Sequence, residues 1–339
     1  MNPAVSVVIV NYNGKAWLKK CLGSITNQDY PKEKFEIIVV DNQSKDDSIG
    51  FLKGNFPSVK IVESGGNLGY AGGGNVGYSE AKGDYVALMA NDMIFKADWL
   101  RTTVDFMEKN ERTAVASGVL ITGEDFSGRR DAVNLSPVFT GREDAREITE
   151  SIMPWGGACI IRKKLFDLPF DSEHFCYCED AYLGLNSWLR GYDVKVLKDA
   201  PALHMGSVTI GFMSPMQVYW NERNRLTNAL VFLKPLTLIL LSPLYIFDVF
   251  LKTLYFTARL KPELLATMYS AVLWNFYHII KVLGKRKRIQ EGRVAKDTII
   301  LSKLCTEMYG NNSLLKRSLN LVFSAYYRLI KGILAALGV

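Results

Sequence analysis

The sequence predicts an α/β protein: a mostly parallel sheet wound on both sides by helices, then an apolar, basic helical region. Three observations predict it. Uncharged runs rich in β-branched residues alternate with stretches of helical spacing. Those runs stop on Asn or Asp, and in a parallel sheet such ends collect on one edge. After Lys234-Pro235 the composition turns apolar and basic.

Ser6–Val10 reads as a first buried strand, stopped by the turn cluster Asn11-Tyr12-Asn13-Gly14. Leu18, Cys21, Leu22 and Ile25 then repeat at helical spacing over Ala16–Ile25. Glu36–Val40 is a second strand ending on Asp41-Asn42, Asp46–Asn55 a helix and Lys60–Val62 a third strand. A glycine-rich loop over Gly65–Gly77 leads into a short helix near Val76–Ala81. Tyr85–Ala90 has no charge, as expected of a strand covered on both faces, and ends on Asn91-Asp92. A helix near Ala97–Met107 follows. Residues 121–150 are polar and read as a mobile loop or lid. Trp155–Ile161 returns to strand character, Glu179–Trp188 is helical, Tyr192–Val196 is a strand, and Tyr219–Phe232 is a helix. His204-Met205-Gly206 opens a second loop.

Charge divides the chain. Of its 41 Lys+Arg and 34 Asp+Glu, residues 231–339 hold 16 and 5, so the C-terminal third carries the whole basic excess. Basic and apolar together point to an anionic membrane surface and not to nucleic acid. Leu236–Phe247, broken by Pro243, and Leu264–Ile280 are both short for spanning helices, and Lys252, Arg259 and Lys261 would lie on the wrong side of a hairpin. Helices lying in the membrane interface are expected; an ordinary helical subdomain covering the sheet is the alternative. The expected boundary divides residues 1–232 from 233–339. Five cysteines without a CxxC pair imply neither a disulfide framework nor a zinc site, and with no signal peptide before the first strand they are expected to be reduced.

Gly72, Gly74 and Gly77 spell GxGxxG, but too far after a strand for a dinucleotide fingerprint. Glycine there is expected to let backbone approach a phosphate or sugar. Asp41 is an acceptor suited to the N3–H of uracil or thymine, or simply a turn residue. Asp92 can ligate a hard cation with diphosphate oxygens, or open a turn. Glu179-Asp180, after Phe175-Cys176-Tyr177-Cys178, is either a helix-start charge preference or holds a general base. His204, one of three histidines, is incidental or a metal ligand.

These segments, with Asn67–Asn75, Leu88–Asp92 and Arg223-Asn224, run in the order seen in family 2 glycosyltransferases. Over roughly residues 5–230 the chain resembles that family, most nearly its rhamnosyltransferase-type branch. The resemblance implies a GT-A fold and an inverting transfer from a nucleotide-diphosphate sugar, dTDP-rhamnose or a UDP-sugar, to a lipid-linked or polysaccharide acceptor. It implies that Asn11 and Tyr12 line the nucleotide pocket, that Asp41 holds the base, and that Asn67, Gly74, Asn75 and Asn91 border the nucleotide-sugar. Asp92 and His204 would hold a divalent cation (Mg²⁺ or Mn²⁺) and Arg223 would neutralise diphosphate. Trp155, Gly156, Gly157 and Glu179 would shape the acceptor side, and Asp180 would be the base. Ala90 departs from the family pattern, where Asp or Asn is usual, and Met93 replaces a common small polar residue, so the cation site is expected either to be weakened or to rely on His204. The implied setting is cell-surface glycan synthesis at the cytoplasmic membrane face, compatible with a homo-oligomer. A silent nucleotide-sugar-binding or assembly subunit is the rival. A processive synthase would need longer spans and a QxxRW-type motif.

Overall fold

The computed structural model describes residues 3–123, 125–144, 149–205, 213–309 and 313–339. Strand β1 (Val5–Asn11), helix α1 (Lys15–Thr26), β2 (Phe35–Asp41), α2 (Ser48–Asn55), β3 (Lys60–Glu63), α3 (Gly69–Glu80) and β4 (Tyr85–Ala90) form the expected wound half. β5 (Met93–Phe95), α4 (Trp99–Lys109), β6 (Thr113–Thr122), β7 (Arg129–Leu135), β8 (Gly141–Asp144), β9 (Ala158–Arg162), α5 (Glu179–Leu189) and β10 (Asp193–His204) complete the sheet region. The strand order is β3-β2-β1-β4-β9-β6-β10-β5, with β7 hooked onto β6 and β8 onto β7. The first four strands are parallel, β9 runs against both its neighbours, and β6 and β10 are parallel.

Alternation along the strands builds two cores. Val7, Ile9, Val39, Ala87 and Met89 face α1 and α4, meeting Leu18, Leu22, Leu100 and Val104. Val8, Ile38, Val40, Val86 and Leu88 face α3 and α5 and continue into the C-terminal helices. Those are α6 (Pro215–Phe232), α7 (Pro235–Ala258), α8 (Pro262–Tyr277), α9 (Ile279–Glu291), α10 (Asp297–Lys303) and α11 (Leu314–Ala336). Ile300, Tyr327 and Leu334 belong to the same buried cluster as Leu135 and Leu183, so one core runs across the expected boundary at residue 232.

Four expectations change. The glycine-rich stretch is helix α3 from Gly69 onward, not a loop. A Cβ on Gly73 would come within 2.8 Å of Val10, and one on Gly77 within 2.2 Å of Val8, so these glycines let the helix lie close on the sheet. The polar stretch 121–150 contains the paired strands β7 and β8; residues 124 and 145–148 lie outside the described residues. Pro243 does not break α7, because neighbouring helices hold that segment: Leu241 and Leu244 beside it are buried. His204 is the last residue of β10 and not a loop residue; most of the loop expected after it, 206–212, lies outside the described residues.

Candidate active site

The parallel register sets the first half of the site. Asn11 pairs with Asp41 across β1 and β2, and Val10 pairs with Ala90 across β1 and β4. Asp41, Asn11 and Asn91 therefore stand side by side at the strand ends. Asn11 Nδ2 donates to Asp41 Oδ1 at 3.2 Å, and Asn91 Nδ2 donates to Asn11 Oδ1 at 2.8 Å. Asp41 Oδ2 accepts the Ser44 N–H at 2.9 Å. Asp41 and Asn11 are buried, and Tyr12 beside them is half-buried. The reason Gly14 follows is geometric: a Cβ there would lie 2.0 Å from Asn91 Nδ2 and 2.4 Å from Asn11 Oδ1.

Asp92, next along, meets His204 from the last residue of β10, with Oδ2 and Nε2 3.1 Å apart. β5 makes this possible by pairing His204 with Met93. Among the described residues no three His, Cys, Asp or Glu side chains cluster as a metal site, so this is a pair. The pair fits a cation. Two ligands at right angles about an ion ~2.1 Å away lie ~3 Å apart, and Mg²⁺-type sites need few carboxylates when phosphates complete the shell. Ala90 takes no part, since its methyl abuts Gly157, where a Cβ would lie 2.9 Å away.

Glycines join this half to the second. Gly157 C=O accepts the Ala90 N–H at 2.9 Å. Gly156 C=O accepts the Tyr70 hydroxyl at 2.7 Å, and a Cβ on Gly156 would lie 3.2 Å from Asp180 Cβ. Tyr70 thus stands at Gly156, beside Asp180. Burial pushes its phenol up, and Cys159, Glu179, Asp92 and Asp180 add to the rise.

Glu179 and Asp180 begin α5 and are both buried. Burial pushes both carboxyls well above the ordinary carboxylate range, and the neighbouring Asp180 charge adds to the rise at Glu179. The Ala181 N–H donates to Asp180 Oδ1 at 2.7 Å and pulls the other way, as a helix N-terminus should. Burial wins at Asp180, leaving a carboxyl poised to exchange a proton near neutrality. Glu179 Oε2 and Trp155 Nε1 are buried atoms with no partner among the described residues.

Not every expected residue arrives. Asn75 uses its whole amide elsewhere: Nδ2 donates to Phe170 C=O and to Ser172 Oγ, both at 2.9 Å, and Oδ1 accepts the Phe170 N–H. Gly74 packs against the Phe170 ring, 2.9 Å from where a Cβ would be, and so serves packing and not a phosphate contact. Asn67 is exposed and accepts the Gly69 N–H at 3.0 Å, opening α3. Arg223 is 5% exposed, with its guanidinium 3.7 Å from the Trp274 ring centre and donating to Glu173 C=O at 2.6 Å. That environment ties α6 to α8 in place of the expected diphosphate contact. Gly14, Tyr70 and Asn42 (Nδ2 donating to Gly69 C=O at 2.8 Å) were not singled out for these roles by sequence reasoning. An isolated glycine after a strand-end Asn is the signal that would have found Gly14.

Residues 6–168 match the family described as glycosyl transferase family 2. A poly(ribitol-phosphate) beta-glucosyltransferase of Bacillus spizizenii is 33% identical over 111 residues, 32% of this chain and 18% of that protein. The poly(ribitol-phosphate) beta-N-acetylglucosaminyltransferase TarS of Staphylococcus aureus is 28% identical over 204 residues, 57% of this chain and 34% of that protein. The crystal structure of S. aureus TarS 1-349 in complex with UDP superposes with a TM-score of 0.55 at 17% identity, covering 97% of this chain and 90% of that one. The mannosyltransferase PcManGT from Pyrobaculum calidifontis, in complex with GDP-Man and Mn²⁺, gives 0.54 at 15% identity over 98% and 87%. This chain spans well under half the length of the curated relatives it matches. The structural likenesses show the GT-A fold.

Proposed function

We propose that this chain, whose residues 6–168 match glycosyl transferase family 2, transfers a sugar, with inversion, from a UDP-sugar or dTDP-rhamnose to a lipid-linked or polysaccharide acceptor in cell-surface glycan synthesis. One observation carries this reading: the strand-end row Asp41–Asn11–Asn91 continues into Asp92, and the adjoining Gly156-Gly157 links that strand end, through the Ala90 N–H, to Asp180. Relatives named for ribitol-phosphate polymers support the polymer acceptor, and a neighbour solved with UDP supports the donor.

In this reading Asp41 takes the base and Asn11 fixes the Asp41 carboxylate in place. Asp92 and His204 would hold a divalent cation, which would supply positive charge for a leaving diphosphate. Asp180 removes the proton from the acceptor hydroxyl. The hydroxyl oxygen forms its bond to the anomeric carbon while the bond from that carbon to diphosphate breaks and its electron pair departs on the diphosphate oxygen. A single base on the far face suffices, unlike the paired carboxylates of glycosidases. The raised affinity of Asp180 for a proton makes it a stronger base than an exposed carboxylate.

The C-terminal helices would rest on the cytoplasmic membrane face. α7 is long and apolar enough to cross a membrane by length and composition. An interfacial position fits it better, because Asp248 in its middle is buried against Arg225 of α6 at 2.8 Å. Ile239, Ile246, Phe250 and Leu254 are left exposed along α7, beside a region rich in Lys and Arg. The functional test is Asp180→Asn. Turnover should fall about 10²–10⁴-fold while UDP affinity holds; unchanged turnover would overturn the base assignment.

A further inference from the structure

The turn that delivers Glu179-Asp180 is strained. Phe175 has φ 58° and ψ −68°, the rare γ-turn geometry, and its two flanking residues close that turn with the Cys176 N–H donating to His174 C=O at 2.6 Å. Tyr177 (φ 66°) and Cys178 (φ 62°, ψ 7°) follow in the left-handed region, and Cys178 is the residue before Glu179. None of the three is glycine. Non-glycine residues persist there only where their surroundings over-determine them.

The surroundings are specific. Asn224 Nδ2 lies within hydrogen-bond distance of three carbonyls, those of His174 (2.8 Å), Cys176 (3.1 Å) and Tyr177 (2.9 Å). One turn on, Asn228 Nδ2 donates to Cys178 C=O at 3.0 Å, and its Oδ1 pairs with His174 Nε2 at 2.9 Å. The remaining carbonyl, of Phe175, accepts the Ala71 N–H at 3.0 Å, and Gly69 leaves room for it: a Cβ there would lie 2.2 Å from that oxygen. Every carbonyl from His174 to Cys178 therefore has a donor within reach, four of them facing two amides on one face of α6. Arg223 extends the same clamp to Glu173 C=O.

We propose that Asn224 and Asn228 are positioning residues that hold the strained 174–178 turn so that Asp180 faces the acceptor. Ordinary helix packing would not require two amides aimed at consecutive carbonyls. The proposal rests on Asp180 being the base, and its test separates the two ideas.

Asn224→Ala and Asn228→Ala are made in the full chain, alone and combined with Asp180→Asn. UDP release is followed with the UDP-sugar that the unaltered protein hydrolyses fastest, UDP binding is measured by calorimetry, and hydrogen exchange is followed over residues 174–181. Each single Asn variant should lose about 10²-fold in kcat, the cost of a misplaced catalytic group. KM and UDP affinity should stay nearly unchanged, and the amides of 174–181 should exchange faster. In the Asp180→Asn background the further loss should vanish, because the group being positioned is gone. If Asp180→Asn abolishes turnover but Asn224→Ala and Asn228→Ala keep full kcat per folded molecule, the clamp is structural only and this proposal falls alone. If Asp180→Asn is fully active, the base reading falls and takes the proposal with it. Should the alanine variants fail to fold, Asn228→Asp keeps the acceptor for His174 and removes only the donor to Cys178. Unchanged exchange over 174–181 in that variant would equally overturn the proposal.

Discussion

Gly14→Ala tests the donor half of the site without touching any carboxylate. Gly14 has φ −107°, a conformation alanine adopts freely, so the backbone gives no reason for an effect. The added methyl does. It would lie 2.0 Å from Asn91 Nδ2 and 2.4 Å from Asn11 Oδ1, inside both van der Waals radii and across the hydrogen bond that joins them. Asn91 must swing away, leaving the buried Asn11 oxygen without its donor. Leaving one buried polar group unsatisfied costs about 1–3 kcal/mol. If the row from Asp41 to Asn91 is the nucleotide site, that cost falls on UDP binding, weakening it about 5- to 150-fold at 1.4 kcal/mol per tenfold. Calorimetric titration with UDP reads this directly, and a melting curve shows how much of the cost appears in the fold instead. A Gly14→Ala protein with unchanged UDP affinity and unchanged melting temperature would refute the reasoning, since the methyl has no free space to occupy.

Three further outcomes follow from the same geometry. Asp180 is raised by burial to about 7, so it stabilises the fold while protonated; that contribution is complete below the ordinary carboxylate pKa of ~4 and is lost as pH rises through about 7. Asp180→Asn should therefore melt higher than the unaltered protein at pH 8, with the gap closing towards pH 4, while unaltered turnover rises with pH through neutrality; equal melting at pH 8 would contradict the burial argument. Chelation should abolish turnover and Mn²⁺ restore it, with His204→Ala raising the Mn²⁺ needed for half-activity by at least about tenfold; full activity in chelator would refute the cation role. Ile239→Asp with Ile246→Asp, both exposed on α7, should weaken partition into phosphatidylglycerol vesicles by at least about tenfold, since each such side chain is worth about 1.5–3 kcal/mol when buried; unchanged partition would remove α7 from the membrane contact.

Much of the wound half was legible because its signals are local. Buried strands such as Tyr85–Ala90 are uncharged, and the polar residue at each end marks the edge where ligands bind. The errors came where tertiary contacts override local preference. Glycine is a poor helix former, so the run from Gly69 to Gly77 reads as a loop; its helix forms because Gly73 and Gly77 permit contact with Val10 and Val8. Pro243 reads as a helix end, yet α7 continues because packing on both sides holds it. Arg223 reads as an anion ligand by its type, but only coordinates place it against Trp274. Strand β5 is three residues long and carries no pattern of its own, although it brings His204 to Asp92.

The central claim is that the strand-end carboxylates and Asp180 line one cleft. Anomalous diffraction from crystals grown with UDP and Mn²⁺ addresses it most directly. The manganese peak should lie in contact with Asp92 and His204, with the uracil beside Asp41 and the diphosphate between that ion and Asp180. A manganese peak away from Asp92, or UDP bound with Asp41 and Asp180 on unrelated surfaces, would contradict it.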